Sequence, residues 1–98
     1  MERISEVQVT PVKLNNGLVA FCSFVLYESV YCCSVAIFTR PNGGYRLVYP
    51  TKKFGSNDLN IFHPINSNIG NLIETKVINK LNEVMKNDRY SFNNNSRV

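Results

Sequence analysis

The 98-residue chain has no tryptophan and one histidine, His63. A lone imidazole cannot build a multi-histidine metal centre, and no third group is placed by the sequence to orient it toward a thiol nucleophile. The three cysteines, Cys22, Cys32 and Cys33, are odd in number and lack zinc-type spacing. They lie inside apolar runs, where cysteine behaves as a small hydrophobe. No glycine-rich phosphate loop is present, because Pro41-Asn42-Gly43-Gly44 fits a hairpin turn. The opening Met-Glu-Arg-Ile-Ser-Glu lacks the basic-then-apolar pattern of a signal peptide. These absences predict a non-enzymatic, cytoplasmic protein with reduced thiols and no metal, cofactor or small-molecule substrate.

Charge is also scarce. Charged residues make up 18% of the chain and apolar ones 44%, the balance of a folded domain. Acidic residues are missing altogether from Ser29 to Asn57, a stretch that holds Arg40, Arg46, Lys52 and Lys53. Those four account for the net charge of +4, since the remaining basic residues match the acids in number. An acid-free basic block fits an anionic partner, or else a solvated turn region. The apolar run from Leu18 to Phe38 is long enough to span a bilayer. Glu28 near its middle would cost roughly 2.5–3.5 kcal/mol there. Its content of Val, Phe, Tyr, Ser and Cys suits two strands instead, so no membrane partner is expected.

The expected fold class is α+β. An antiparallel meander of four to five strands is followed by one C-terminal helix packed on the sheet. Arg3 to Leu14 is the first strand, with a parity switch near Thr10-Pro11 that predicts a bulge in an edge strand. Leu18 to Tyr27 and Val30 to Arg40 follow, joined by a two-residue turn at Glu28-Ser29. That turn would pair Ala20, Cys22, Phe24 and Leu26 with Ile37, Val35, Cys33 and Tyr31 as the core face. Val19, Phe21, Val25 and Phe38 would then make the opposite face apolar too, and a sheet apolar on both sides needs cover on both. A homodimer is the expected cover.

Tyr45 to Pro50 is the fourth strand. Thr51 to Asn60 reads as a polar loop, and Leu59 to Phe62 allows one more short strand. Pro64 holds His63 out of helical geometry, making the pair a structural hinge between sheet and helix. Asn66, Ser67 and Asn68 are each able to cap the helix that follows. That helix runs from about Ser67 to Lys86, with Ile69, Leu72, Ile73, Val77, Leu81 and Val84 on one stripe. Residues 1–86 form a single domain, and 87–98 read as a flexible polar tail.

Three blocks in this order carry a family resemblance: Asn42-Gly43-Gly44-Tyr45, then Pro50-Thr51-Lys52-Lys53, then His63-Pro64-Ile65-Asn66-Ser67. In order and spacing they resemble the SpoVG (septation protein) family, over roughly Arg3 to Glu83. The resemblance implies a homodimeric DNA- and RNA-binding regulator of bacterial gene expression, sporulation or septation. The family's basic pair corresponds to Lys52 and Lys53 and its hinge to Asn66, Ser67 and Asn68 at the helix start; the charge pattern adds Arg40 and Arg46 from the acid-free block, and Lys76 and Lys80 on the helix, as further nucleic-acid contacts. Tyr45 and Tyr49 are expected to pack rather than stack on bases. The other reading keeps the same sheet as a protein-interaction module without nucleic acid.

Overall fold

A computed structural model describes residues 3–96, with side chains described for residues 3–86. Seven elements follow one another: β1 (Ile4–Asn15), β2 (Leu18–Leu26), β3 (Val30–Thr39), β4 (Tyr45–Val48), β5 (Thr51–Phe54), β6 (Asn57–Asn60) and α1 (Ser67–Ser96). Strands β1 to β4 form one antiparallel sheet in sequence order, and β5 pairs with β6 in a separate two-stranded sheet. The expected meander and single C-terminal helix are therefore both present. No helix among the described residues is long and apolar enough to cross a membrane.

The core is the space between one sheet face and α1. Ala20, Cys22 and Phe24 of β2, with Cys32, Val35 and Ile37 of β3, meet Ile73, Val77 and Leu81 of α1. Each of these side chains is buried. Val7 and Val9 of β1 and Leu72 of α1 pack partly buried around them. Tyr45, Leu47 and Tyr49 also turn inward, and Tyr49 meets Phe62 edge-on with ring centroids 5.9 Å apart. Burial pushes the Tyr49 hydroxyl up to about 12 and the Cys22 thiol likewise up to about 12.

Pairing of β2 with β3 departs from the expected register halfway along. Ala20 faces Ile37 and Cys22 faces Val35 as expected, but Phe24 faces Cys32 and Leu26 faces Val30. The hairpin turns at Tyr27-Glu28, one residue earlier than Glu28-Ser29, with Ser29 N–H donating to the Leu26 carbonyl at 2.8 Å. Both central residues have positive φ, 49° and 55°, as a turn matching strand twist requires. Ser34, at φ 65°, then absorbs the extra residue as a bulge. The consequence is a swap of neighbours: Cys32 is buried and Cys33 exposed, the reverse of the sequence expectation.

Val19 is a second correction. It sits between the pairs Leu18–Phe38 and Ala20–Ile37, where β2 carries an extra residue. Its side chain joins the core at 8% exposure instead of the opposite face. In β1 the irregularities fall at Ser5–Gln8, around Glu6 at φ 50°, and between Pro11 and Asn15. Only the second lies near the expected Thr10-Pro11 site. β1 is an edge strand, which is where its proline is tolerated.

The loop expected over Thr51 to Asn60 is a hairpin. Thr51 pairs with Asn60 and Phe54 with Asn57 across a two-residue Gly55-Ser56 turn, with Gly55 at φ 65°. Its base is closed by Ile61 N–H donating to the Pro50 carbonyl at 2.9 Å. Helix α1 continues past Lys86 to Ser96. The polar tail expected at 87–98 falls on residues whose side chains are not described and, at 97–98, outside the described residues.

Candidate nucleic-acid interface

At the hinge, His63 Nδ1 lies 3.2 Å from the Pro64 carbonyl oxygen, a contact that an Nδ1–H tautomer makes a hydrogen bond. Asn66 is the N-cap. Its Oδ1 accepts from Asn68 N–H at 2.7 Å and from Ile69 N–H at 3.2 Å, and its carbonyl accepts the helical bond from Gly70 N–H at 2.9 Å. Two of the N–H groups that a phosphate would use are thus already satisfied by the chain itself. Ser67 and Asn68 stand exposed at the same end, beside the exposed Ile65.

The acid-free basic block separates into three environments. Arg40, at the start of the β3–β4 turn, is engaged. Its Nε–H donates to the Tyr45 carbonyl at 3.0 Å, and its Nη2 lies 3.9 Å from Glu74 Oε1 of α1. Both side chains of that ion pair are partly exposed, so it contributes little stability. Arg46 faces Phe38 across β3–β4, and its guanidinium carbon lies 5.1 Å from the Phe38 ring centroid. This places it on the sheet face opposite α1, in a cation–π contact worth about 0.5–1 kcal/mol at an exposed site.

Lys52 and Lys53 occupy adjacent positions of β5, so their side chains leave opposite faces of the hairpin. Lys52 stands across from Leu59, and Lys53 across from Asp58. Every residue of β5 and β6 is exposed, including Phe54 at 70% and Leu59. The hairpin projects from the body and carries the lysines with it. On α1, Lys80 Nζ sits 3.6 Å from Glu83 Oε1, and Lys76 lies one turn before it. The sequence-predicted contacts thus fall in five places: Arg40 at the β3–β4 turn against Glu74, Arg46 on the open sheet face, the two lysines on the hairpin, Asn66, Ser67 and Asn68 at the helix start, and Lys76 and Lys80 along the helix.

The open sheet face carries polar groups beside its aromatic ones. β1 brings Gln8 opposite Ser23 and Thr10 opposite Phe21. Phe21 is in turn opposite Ala36. With Ser34 on it as the alternation from Phe38 and Ala36 expects, this face mixes hydroxyls and an amide with Phe21, Val25 and Phe38. The Phe38–Arg46 pairing was readable from the Asn-Gly turn; the β1 contribution was not, because its register depends on two irregularities. Among the described residues no three His, Cys, Asp or Glu side chains converge as a metal site would require. No family model matches the chain and no curated protein matches it, so the likeness to the SpoVG family rests on the three motif blocks.

Proposed function

We propose that this is a nucleic-acid-binding regulator acting as a homodimer, with Arg46, Lys52 and Lys53 as its main phosphate contacts. The observation that carries this reading is the exposure of all three in a stretch where no acid appears before Asp58. Such contacts position a phosphate backbone without reading its sequence. Arg40 adds less, because Glu74 already offsets its charge. Asn66, Ser67 and Asn68 border the backbone, and Lys76 and Lys80 extend the basic surface along the helix. The motif resemblance points the regulatory role toward gene expression, sporulation or septation in bacteria. Three free thiols suit a reducing, cytoplasmic setting.

A salt series tests the reading. Three contacts give a log affinity for duplex DNA that falls against log salt with a slope of roughly −3 per chain. Replacing Lys52 and Lys53 by alanine should lower that slope by about 2 and weaken all sequences alike. No binding of a folded preparation to single- or double-stranded probes at low salt would end the regulatory reading.

The alternative, a protein-interaction module, is favoured by one feature. The hairpin exposes Phe54 and Leu59, on one of its faces, and Ile61 beyond its base. A two-stranded hairpin is marginal in water by itself. A second copy seated on it would bury that apolar surface and fits the proposed homodimer. Light scattering that found one 11.2 kDa species at high concentration would remove the dimer from the proposal.

A further inference from the structure

We infer that the open face of the β1–β4 sheet is a stacking platform for unpaired nucleotides, with Phe21 beneath a base and Arg46 at the phosphate. The inference rests on the nucleic-acid reading above and goes beyond it in substrate class and site. Phe21 lies in an interior strand at 40% exposure, unusually open for a phenylalanine with strands on both sides. It borders a depression of about 400 Å³ whose other walls are Cys22 and the polar Gln8, Thr10, Ser23 and Ser34. Those groups are donors and acceptors at the level of a base edge, set around an aromatic face.

Polarity decides between possible covers. An apolar protein surface seated here would leave the Gln8 amide and the Thr10 and Ser23 hydroxyls desolvated, each at a cost, while Ser34 keeps only a weak bond to Cys33 Sγ at 3.8 Å. A base presents ring edges that satisfy such groups and a π face that stacks on Phe21. The charge pattern agrees. Glu6 stands at the β1 side of the face, beside a second depression of about 310 Å³ shared with Tyr31. Arg46 stands on β4, stacked on Phe38. A phosphate backbone would therefore run along the β3–β4 side and direct its bases toward β2. Duplex DNA cannot use the platform, because its bases are already stacked on each other.

The test uses fluorescently labelled twelve-nucleotide oligo-dT and oligo-U, with a mixed-sequence duplex as comparison, at low salt. Phe21→Leu keeps the apolar volume and removes the ring. It should weaken single-strand binding between about fivefold and about 100-fold, leave duplex binding and the salt slope unchanged, and be rescued by Phe21→Tyr. A 4-thiouridine oligonucleotide photocrosslinked to the unaltered protein should mark β2 or β3, which covers the case of a variant that folds poorly. Wild-type affinity in Phe21→Leu, with binding still weakened in the Lys52→Ala/Lys53→Ala protein, overturns the platform and spares the electrostatic reading. Crosslinks confined to residues 51–60 do the same. A Phe21→Leu protein that loses its dimer while keeping its affinity assigns the face to a second copy and overturns the platform. No binding by the wild-type protein sinks both.

Discussion

Leu81→Ala is the sharpest probe of how helix and sheet are joined. Leu81 is 0% exposed and lies in the same buried cluster as Ile73, Val77, Phe24 and Ile37. The substitution removes three carbon groups, worth about 2.4 kcal/mol at about 0.8 kcal/mol each. A residual cavity raises the cost toward about 5 kcal/mol where the walls cannot close. Here one wall is a hydrogen-bonded sheet that moves little, and the other is a helix free to settle inward. An intermediate loss of about 3 kcal/mol is therefore expected. A domain of this length has roughly 5–15 kcal/mol in total, so the loss is large enough to read in a urea titration. Protein concentration must be held constant, because dimerisation would contribute to apparent stability. Asn79→Ala, on the exposed side of the same helix, serves as the control and should change stability by less than about 0.5 kcal/mol. A Leu81→Ala change as small as that of the control would mean that the helix presents a different stripe to the sheet.

Three further outcomes follow from particular residues. In the native protein a thiol reagent should modify Cys33 rapidly and Cys22 and Cys32 only on unfolding, since the bulge at Ser34 exposes Cys33 alone; rapid modification of Cys32 instead would restore the unbulged register. Gly70→Ala should raise stability by up to about 1 kcal/mol, because the added carbon would meet Pro64 Cγ at an ordinary 3.6 Å and the backbone there is not left-handed; a lower melting temperature would show that the hinge needs glycine. The thermal midpoint should fall as pH rises from about 9 toward 12. Cys22 and Tyr49 hold their protons more tightly when folded than unfolded, so their contribution is complete below the unfolded pKa values and disappears through the folded ones. A midpoint flat across that window would contradict their burial.

Most of the fold was legible because its signals are local. Helical spacing identified Ile73, Val77 and Leu81, and these are the three buried positions of α1 among the described residues. Alternation from Ala20 to Phe24 identified the core face of β2, and Asn42-Gly43 located the β3–β4 turn. The exchange of Cys32 and Cys33 has a single cause. Period-two reasoning carries a register forward unchanged, and a single residue in left-handed conformation inverts every side chain beyond it. Ser34 did this to Cys32 and Cys33, and nothing about serine announces a positive φ. Thr51 to Asn60 was misread because a fully solvated hairpin has no apolar alternation to display; Gly55-Ser56 was its only local sign. At the candidate interface, residue types marked Arg46, Lys52 and Lys53. They did not show that Arg40 is tied to Glu74 or that the two lysines leave opposite faces.

The interrupted edge of β1 bears on how the protein behaves when crowded. A twelve-residue outer strand offers a long row of backbone groups on which another chain could polymerise. Glu6 in left-handed geometry and Pro11, which has no N–H, divide that row into pieces too short to template an open-ended fibre. The opposite outer strand, β4, has four residues and no such break. Strand addition to the four-stranded sheet is thereby confined to one short edge, where a two-fold pair closes on itself and growth stops.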